Sequence, residues 1–306
     1  MRILCLFTLC FFILSTSLFL VAEEQKPSLI QEEQKQEAAG EEKGISLSAG
    51  IDLTSQFLYR GLFNEDQGWV VQPYLELYIH LYSQEKAVVS SLDFLVGTWG
   101  SFHSGNPTGT GSQNTVDPKA WYEQDFYLGL NFTFLDRVLF NLNYYIFSSP
   151  NDSFSTIQEA TLKLGFNDEG LLGENFSLSP YLFWAFELNN ALDGAKEGVY
   201  MEIGLVPSYR WNIMEKYDLC ISLPMKVGFS LNDYYDFGTK DDDSFGYADF
   251  GISLSLPLAF IPARYGEWKV TGKCNFVLLD GHIAKYNSPK NDDFEIIGTL
   301  GISMSY

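Results

Sequence analysis

The chain of 306 residues carries 25 Phe, 18 Tyr, 6 Trp and 26 Gly, with 19% charged residues and a mean hydropathy of −0.04. An aromatic-rich chain with so neutral an average must disperse its apolar side chains, which excludes a bundle of transmembrane helices. The formal charge is −20, and −17 remains after residue 43, so nucleic acid and anionic membrane faces are excluded as electrostatic partners.

Residues 1–22 open with Arg2 and the run ILCLFTLCFFILSTSLFLVA, ending on the small residue Ala22. This is the pattern of a secretory signal peptide cut before Glu23. An uncleaved anchor is the rival reading, because about twenty apolar residues can span a bilayer. Neither Cys5 nor Cys10 follows the small residues that a lipoprotein signal needs. Residues 23–43, rich in Glu and Gln, hold almost nothing that a core could bury, and are expected to form a disordered periplasmic leader. Residues 44–306 then form one domain.

From Gly44 onward apolar residues recur at every second position. The first segment runs from Ile45 to Arg60 with Ile45, Leu47, Ile51, Leu53, Phe57 and Tyr59 on one parity; the second runs from Trp69 to Tyr82, and the third from Ala87 to Trp99. Trp121 to Phe134 follows, with Tyr122, Phe126, Leu128, Leu130 and Phe132 against Glu123, Asp125, Asn131 and Thr133. Val138–Phe147, Thr156–Phe166, Phe176–Leu188 and Val199–Trp211 come next, then Tyr217–Leu231, where eight apolar residues alternate without a break. Ala248–Phe260, Trp268–Leu279 and Phe294–Tyr306 complete twelve. A period of two places each apolar set on one face of a strand.

A soluble sandwich also alternates, but its strands average about 5 to 6 residues, whereas a strand crossing a bilayer at a tilt needs about 9 to 11. The connectors agree with the membrane. Those after even segments are short, such as SQEK, LDR and NIMEK, and those after odd segments are long, such as SFHSGNPTGTGSQNTVDPKA, in the manner of periplasmic turns and outer loops. Trp211, Phe260, Trp268 and Tyr306 then fall at periplasmic ends, and Tyr59, Trp69, Tyr122, Tyr144 and Phe229 at outer ends, as two belts of rings. The expected fold is all-β: a transmembrane up-and-down antiparallel barrel of twelve strands in a bacterial outer membrane, with both termini periplasmic.

The last residues, TLGISMSY, carry Thr299, Gly301, Met304 and a terminal Tyr306. They resemble the C-terminal signal read by the barrel-assembly machinery, with Tyr in place of the commoner Phe. In the first hairpin Asp52, Ser55, Tyr59, Arg60 and Gly61 are followed by Gln72 and Pro73. These thirty residues resemble a family of Gram-negative outer-membrane barrels known as conserved hypothetical proteins and porin-like proteins. The resemblance implies the barrel fold and a porin-like role, with outer-membrane lipid, lipopolysaccharide and the assembly machinery as partners.

If the apolar parity faces lipid, the other parity lines a lumen. Its candidates are Arg60, Glu76, Asp93, Glu123, Asp125, Lys163, Glu202, Arg210, Lys226 and Asp249, with carboxylates in excess. An open bore would favour cationic and neutral small solutes in passive diffusion. Twelve strands enclose a narrow interior that side chains or a loop can fill, so a plugged structural or surface-binding barrel, adhesin or receptor, is the alternative. Arg60 either braces the rim against a carboxylate or touches solute, and Gly61 permits a sharp turn there. No cofactor or metal site is expected. KDDDSFG (240–246) and KNDDFE (290–295) gather oxygen ligands but match no EF-hand spacing.

An outer-membrane lipid hydrolase would need Ser, His and an orienting polar group together on the outer surface. The three His are His80 near a periplasmic end, and His103 and His282 in outer loops. FHSGN (102–106) offers Ser104 beside His103, but in a Gly- and Pro-rich loop these read as turn residues, and Gly109 and Gly111 make no phosphate site. Cys220 and Cys274 have opposite parity and are expected to be free thiols, a disulfide being the other possibility in an oxidising compartment.

Overall fold

The computed structural model describes residues 44–66, 68–105, 120–214, 217–237, 244–287 and 292–306. The signal segment 1–22, the leader 23–43, Asn106, Gly109, Gly111, residues 240–243 of the first acidic loop and residues 290–291 of the second lie outside them.

The wall is a single antiparallel sheet closed on itself. It opens with β1 (Ile45–Thr54), after which β2 (Phe57–Tyr59) and β3 (Leu62–Glu65) stand apart as a two-stranded hairpin. The wall then continues with β4 (Val70–Ser83), β5 (Val89–His103), β6 (Trp121–Phe134), β7 (Val138–Ser148), β8 (Ile157–Phe166), β9 (Phe176–Ser177) with β10 (Tyr181–Asn189), β11 (Val199–Leu205) with β12 (Ser208–Met214), β13 (Tyr217–Ser222) with β14 (Met225–Asn232), β15 (Phe245–Pro257), β16 (Glu267–Leu279) and β17 (Phe294–Ser305). Each wall strand pairs with its neighbour in the chain, β14 continues to β15, and β17 returns to β1 through Asp52↔Gly301 and Leu53↔Leu300. Closure through β17 and β1 pairs the long strands on both sides, which hydrocarbon surroundings require, while the two-residue β9 at the rim pairs with β12. The result is the expected closed barrel of twelve strands.

Three of the twelve are each in two pieces. The breaks fall at Pro180, Pro207 and Pro224 in three successive strands, and proline cannot donate to a ladder. Tyr181↔Gly204 and Leu205↔Met225 lie on one side of the breaks, and Ser177↔Ser208↔Ser222 on the other. The interruptions therefore line up across the wall. Val206 N–H donating to Leu178 and Leu223 N–H donating to Pro207 keep the sheet joined through the bend.

Alternation appears as alternating exposure. Along β6, Phe126 and Leu128 are exposed while Asp125, Tyr127 and Gly129 are buried. Trp211, Phe260 and Tyr306 are exposed at one end of the barrel and Trp69 and Trp121 at the other. Tyr122 departs from expectation. It is buried, 3% exposed, and Trp121 at 44% takes the outward place, because the register of β5 and β6 shifts between Ser101 and Phe102. Inside, tyrosine rings from one strand lie over glycines of the next: Tyr74 covers Gly50, Tyr127 covers Gly97, and Tyr181 covers Gly204. A Cβ at any of these glycines would collide with the ring, so the wall there is shaped for tyrosine.

The first segment is not one wall strand as far as Arg60. β1 stops at Thr54, and the β2–β3 hairpin turns inward. Phe57 and Tyr59 point into the barrel rather than to lipid, packing on Trp99 and Phe147. Arg60 (φ 51°) and Gly61 (φ 85°) make its turn in the left-handed region, which glycine enters without the cost a side chain brings. Against the hairpin lies α1 (Gly281–Asn287), whose Asn287 side chain accepts from Phe63 N–H at 3.0 Å and donates to the Gly61 carbonyl at 2.6 Å. Ile283, Ala284, Tyr234 and Tyr235 join this inner core. Cys220 and Cys274 are free thiols.

Candidate functional site in the barrel interior

The inward hairpin is tied to the wall by Arg60. Its guanidinium donates in bidentate fashion to Glu159 on β8, at 2.5 and 2.8 Å, and to the Tyr234 hydroxyl at 2.9 Å. Glu159 has no exposed surface. The rings of Tyr59 and Tyr200 flank the guanidinium at 4.6 and 4.8 Å, and Tyr235 O–H donates to the Arg60 carbonyl. Planar, always charged and stackable on rings, arginine is the cation that suits such a buried seat. Of the two readings open for Arg60, the geometry is that of a brace against a carboxylate.

Deeper in the barrel, Glu76 on β4 accepts from Tyr78 at 2.6 Å and Tyr127 at 2.8 Å. Glu202 on β11 accepts from Tyr181, Tyr200 and Tyr247 at 2.6 to 3.0 Å. The Lys163 ammonium lies 4.4 Å above the Tyr181 ring, and Lys226 is 3.8 Å from Asp249. Asp93 holds His80 Nδ1 at 2.7 Å near the opposite end of the wall. Asp125 and Glu123 are buried on β6, close to the hairpin. Arg210 is the outlier: on β12, beside Glu169 of a short turn at 3.4 Å, it is half-exposed at the rim. In the outer loop after β10, Asp193 accepts from Ala195 and Phe237 N–H groups, and burial raises its carboxyl above the usual range against those donors.

The charges are unevenly spread round the ring. β1 and β4–β7 contain Asp52, Glu76, Asp93, Glu123 and Asp125 and no Lys or Arg. The wall bases are Lys163, Arg210, Lys226, Lys269 and Lys273, on β8, β12, β14 and β16. Parity alone could place each residue inside, but only the strand order shows that five neighbouring strands form an acidic wall.

His103 does not sit in a loop. It ends β5, stacked on Tyr122 at 4.3 Å, with Nε2 2.9 Å from Ser101 Oγ and Nδ1 3.6 Å from Glu65 Oε2. Ser101, His103 and Glu65 thus stand in the order of a hydrolytic triad, a set that no sequence spacing revealed. Ser101 has no exposed surface, however, so its hydroxyl does not face the outer surface on which a lipid substrate would lie. Ser104 instead accepts from Trp69 N–H, as a turn residue does.

Fold and interior together define a closed twelve-stranded barrel of the outer-membrane class. Among solved structures it is similar to the outer membrane channel from Pseudomonas putida F1, at 12% identity and a TM-score of 0.52, over 92% of this chain and 100% of that one. The NanC porin (9% identity, TM-score 0.42, 85% and 98% of the two chains) and the KdgM porin in complex with disordered oligogalacturonate (7%, 0.40, 85% and 99%) are more distant. At such identities the likeness is one of fold. No family model and no curated protein matches the sequence.

Proposed function

We propose that the protein is a porin-like channel of a bacterial outer membrane, with both termini periplasmic, passing small cationic and neutral solutes by diffusion. The observation that carries this reading is the interior itself. A barrel serving only as a scaffold has no need of ionisable groups through its whole depth, since each one taken from water must be paired or hydrogen-bonded. Here Asp93, Glu76, Glu202, Lys163, Lys226 and Asp249 follow one another along the wall, held in place by tyrosine hydroxyls and by each other. Cations are favoured because the acidic wall carries five carboxylates and no Lys or Arg.

A second reading has a specific observation behind it. The hairpin, α1 and the segment bearing Tyr234 and Tyr235 pack at the outer end like a protein core, as a plugged surface-binding barrel would require. In the channel reading the same elements form a constriction that limits conductance. Purified protein in planar bilayers distinguishes the two. The expected result is small discrete conductance steps in KCl, with a reversal potential under a salt gradient that shows preference for K⁺ over Cl⁻. Silence from correctly folded, heat-modifiable protein would support the plug.

A further inference from the structure

Three segments come together at the outer mouth: the loop after β10 (190–198), the segment after β14 (233–237) and α1. They meet at one carboxylate. Asp193 accepts from Ala195 N–H of its own loop at 2.8 Å and from Phe237 N–H of the second segment at 2.9 Å, while its backbone carbonyl accepts from the Tyr286 hydroxyl of α1 at 2.8 Å. Phe237 stacks on Tyr286 at 4.0 Å, and Leu192 packs against both aromatic clusters of the interior, so the loop is folded into the barrel. Glu187, near the end of β10, fastens the base of the loop by accepting from Leu192 and Gly198 N–H at 2.6 and 2.8 Å. Asp193 is 7% exposed and Glu187 8%.

Across the wall Glu187 pairs with Glu159, whose charge is met by Arg60. Asp236 acts on Asp193 from the second segment, and α1 presents Tyr286 and, against the Phe237 ring at 5.3 Å, His282. Lys196 of the loop is held by Asp233, and Lys285 of α1 is exposed. The Asp193 side chain is thus buried against uncharged amides with another carboxylate acting on it, and both circumstances penalise its negative charge. Burial is the larger cause of its raised pKa, and Asp236 adds to it against the pull of the amides.

We propose that the three segments form a proton-operated gate: a charged Asp193 favours release of the loop from the mouth, and a protonated Asp193 favours the closed arrangement. This rests on the channel reading. In a released loop Asp193 is an ordinary solvated aspartate, so the proton binds the closed arrangement more tightly and acts as its ligand. Closure is gained as pH falls through the raised value and is complete below the ordinary one of about 3.9.

The test is single-channel recording in planar bilayers in symmetric KCl, reading the ratio of closed to open dwell times between about pH 7 and about pH 4, a span that reaches down to the solvated aspartate value. Dwell times are read because protonation of lumen carboxylates alters the open level instead. The expected ratio rises on acidification by at most about tenfold per pH unit, the limit for one proton, and levels off towards the acid end. D193N, which carries no charge at any pH, should abolish the dependence. D236N, which removes the carboxylate acting on Asp193, should move it to lower pH and keeps the test decisive if D193N does not fold. H282Q should retain the dependence, as should E85Q, in an exposed turn at the opposite end. A ratio that is constant or falls on acidification, a dependence that survives D193N or is lost in H282Q, or a midpoint unmoved in D236N would overturn the gate and leave the channel standing. Absence of conductance at every pH would remove both.

Discussion

Replacing Arg60 with methionine should destabilise the barrel by about 3–5 kcal/mol, the cost of leaving one member of a buried ion pair without the other. Glu159, fully buried on β8, would lose both guanidinium bonds, and the Tyr234 hydroxyl would lose a donor. Unfolding in urea, followed by the heat-modifiable shift in gel mobility, reads the loss. The double variant R60M/E159L should be the more stable of the two, because removing both charges leaves no orphan. Function should move as well. Arg60 sits at the turn of the hairpin that fills the outer mouth, so its release should raise single-channel conductance. Unchanged stability in R60M would mean that Arg60 is not the brace its geometry describes.

A charge on the outer face of the wall should be nearly as costly. Leu128 lies at the middle of β6, 49% exposed, with its neighbours Tyr127 and Gly129 turned inward. Arginine at a barrel's lipid-facing midplane costs about 2–4 kcal/mol, falling to about 0–1 near the interfaces. L128R should therefore lose about 2–4 kcal/mol in lipid vesicles. Arginine in place of Trp121, at the outer end of the same strand, should lose far less. Equal losses at the two depths would contradict a bilayer around this face.

Most of the wall is legible in the sequence because a strand with lipid on one side and water or polar groups on the other must alternate, and one residue of slip would reverse every side chain. The alternation from Tyr217 to Leu231 is the clearest instance, and the structure keeps it across the break at Pro224. What the pattern does not show is where the wall ends. Phe57 and Tyr59 share the parity of Ile51 and Leu53, so the turn into the interior after Thr54 leaves the period undisturbed. Tyr122 escapes the pattern for a related reason: a register shift opposite Ser101 and Phe102 changes the facing of one residue without changing the composition. The alignment of Pro180, Pro207 and Pro224 needs three registers, and the Arg60–Glu159 pair joins residues 99 positions apart. Neither is local. Individual lumen candidates are readable one at a time from parity, but the acidic wall and the Ser101–His103–Glu65 row are products of folding.

The central claim is that alternate residues of each strand face lipid and a closed interior. Spin labels placed singly from residue 125 to 131 on β6, in reconstituted protein, test it most directly. Labels at Phe126, Leu128 and Leu130 should collide mainly with lipid-soluble oxygen, and those at Asp125, Tyr127, Gly129 and Asn131 should be shielded from it, giving a period of two. Collision with oxygen at a period near 3.6, or equal shielding at all seven positions in a water-soluble monomer, would contradict the barrel and everything assigned to its interior.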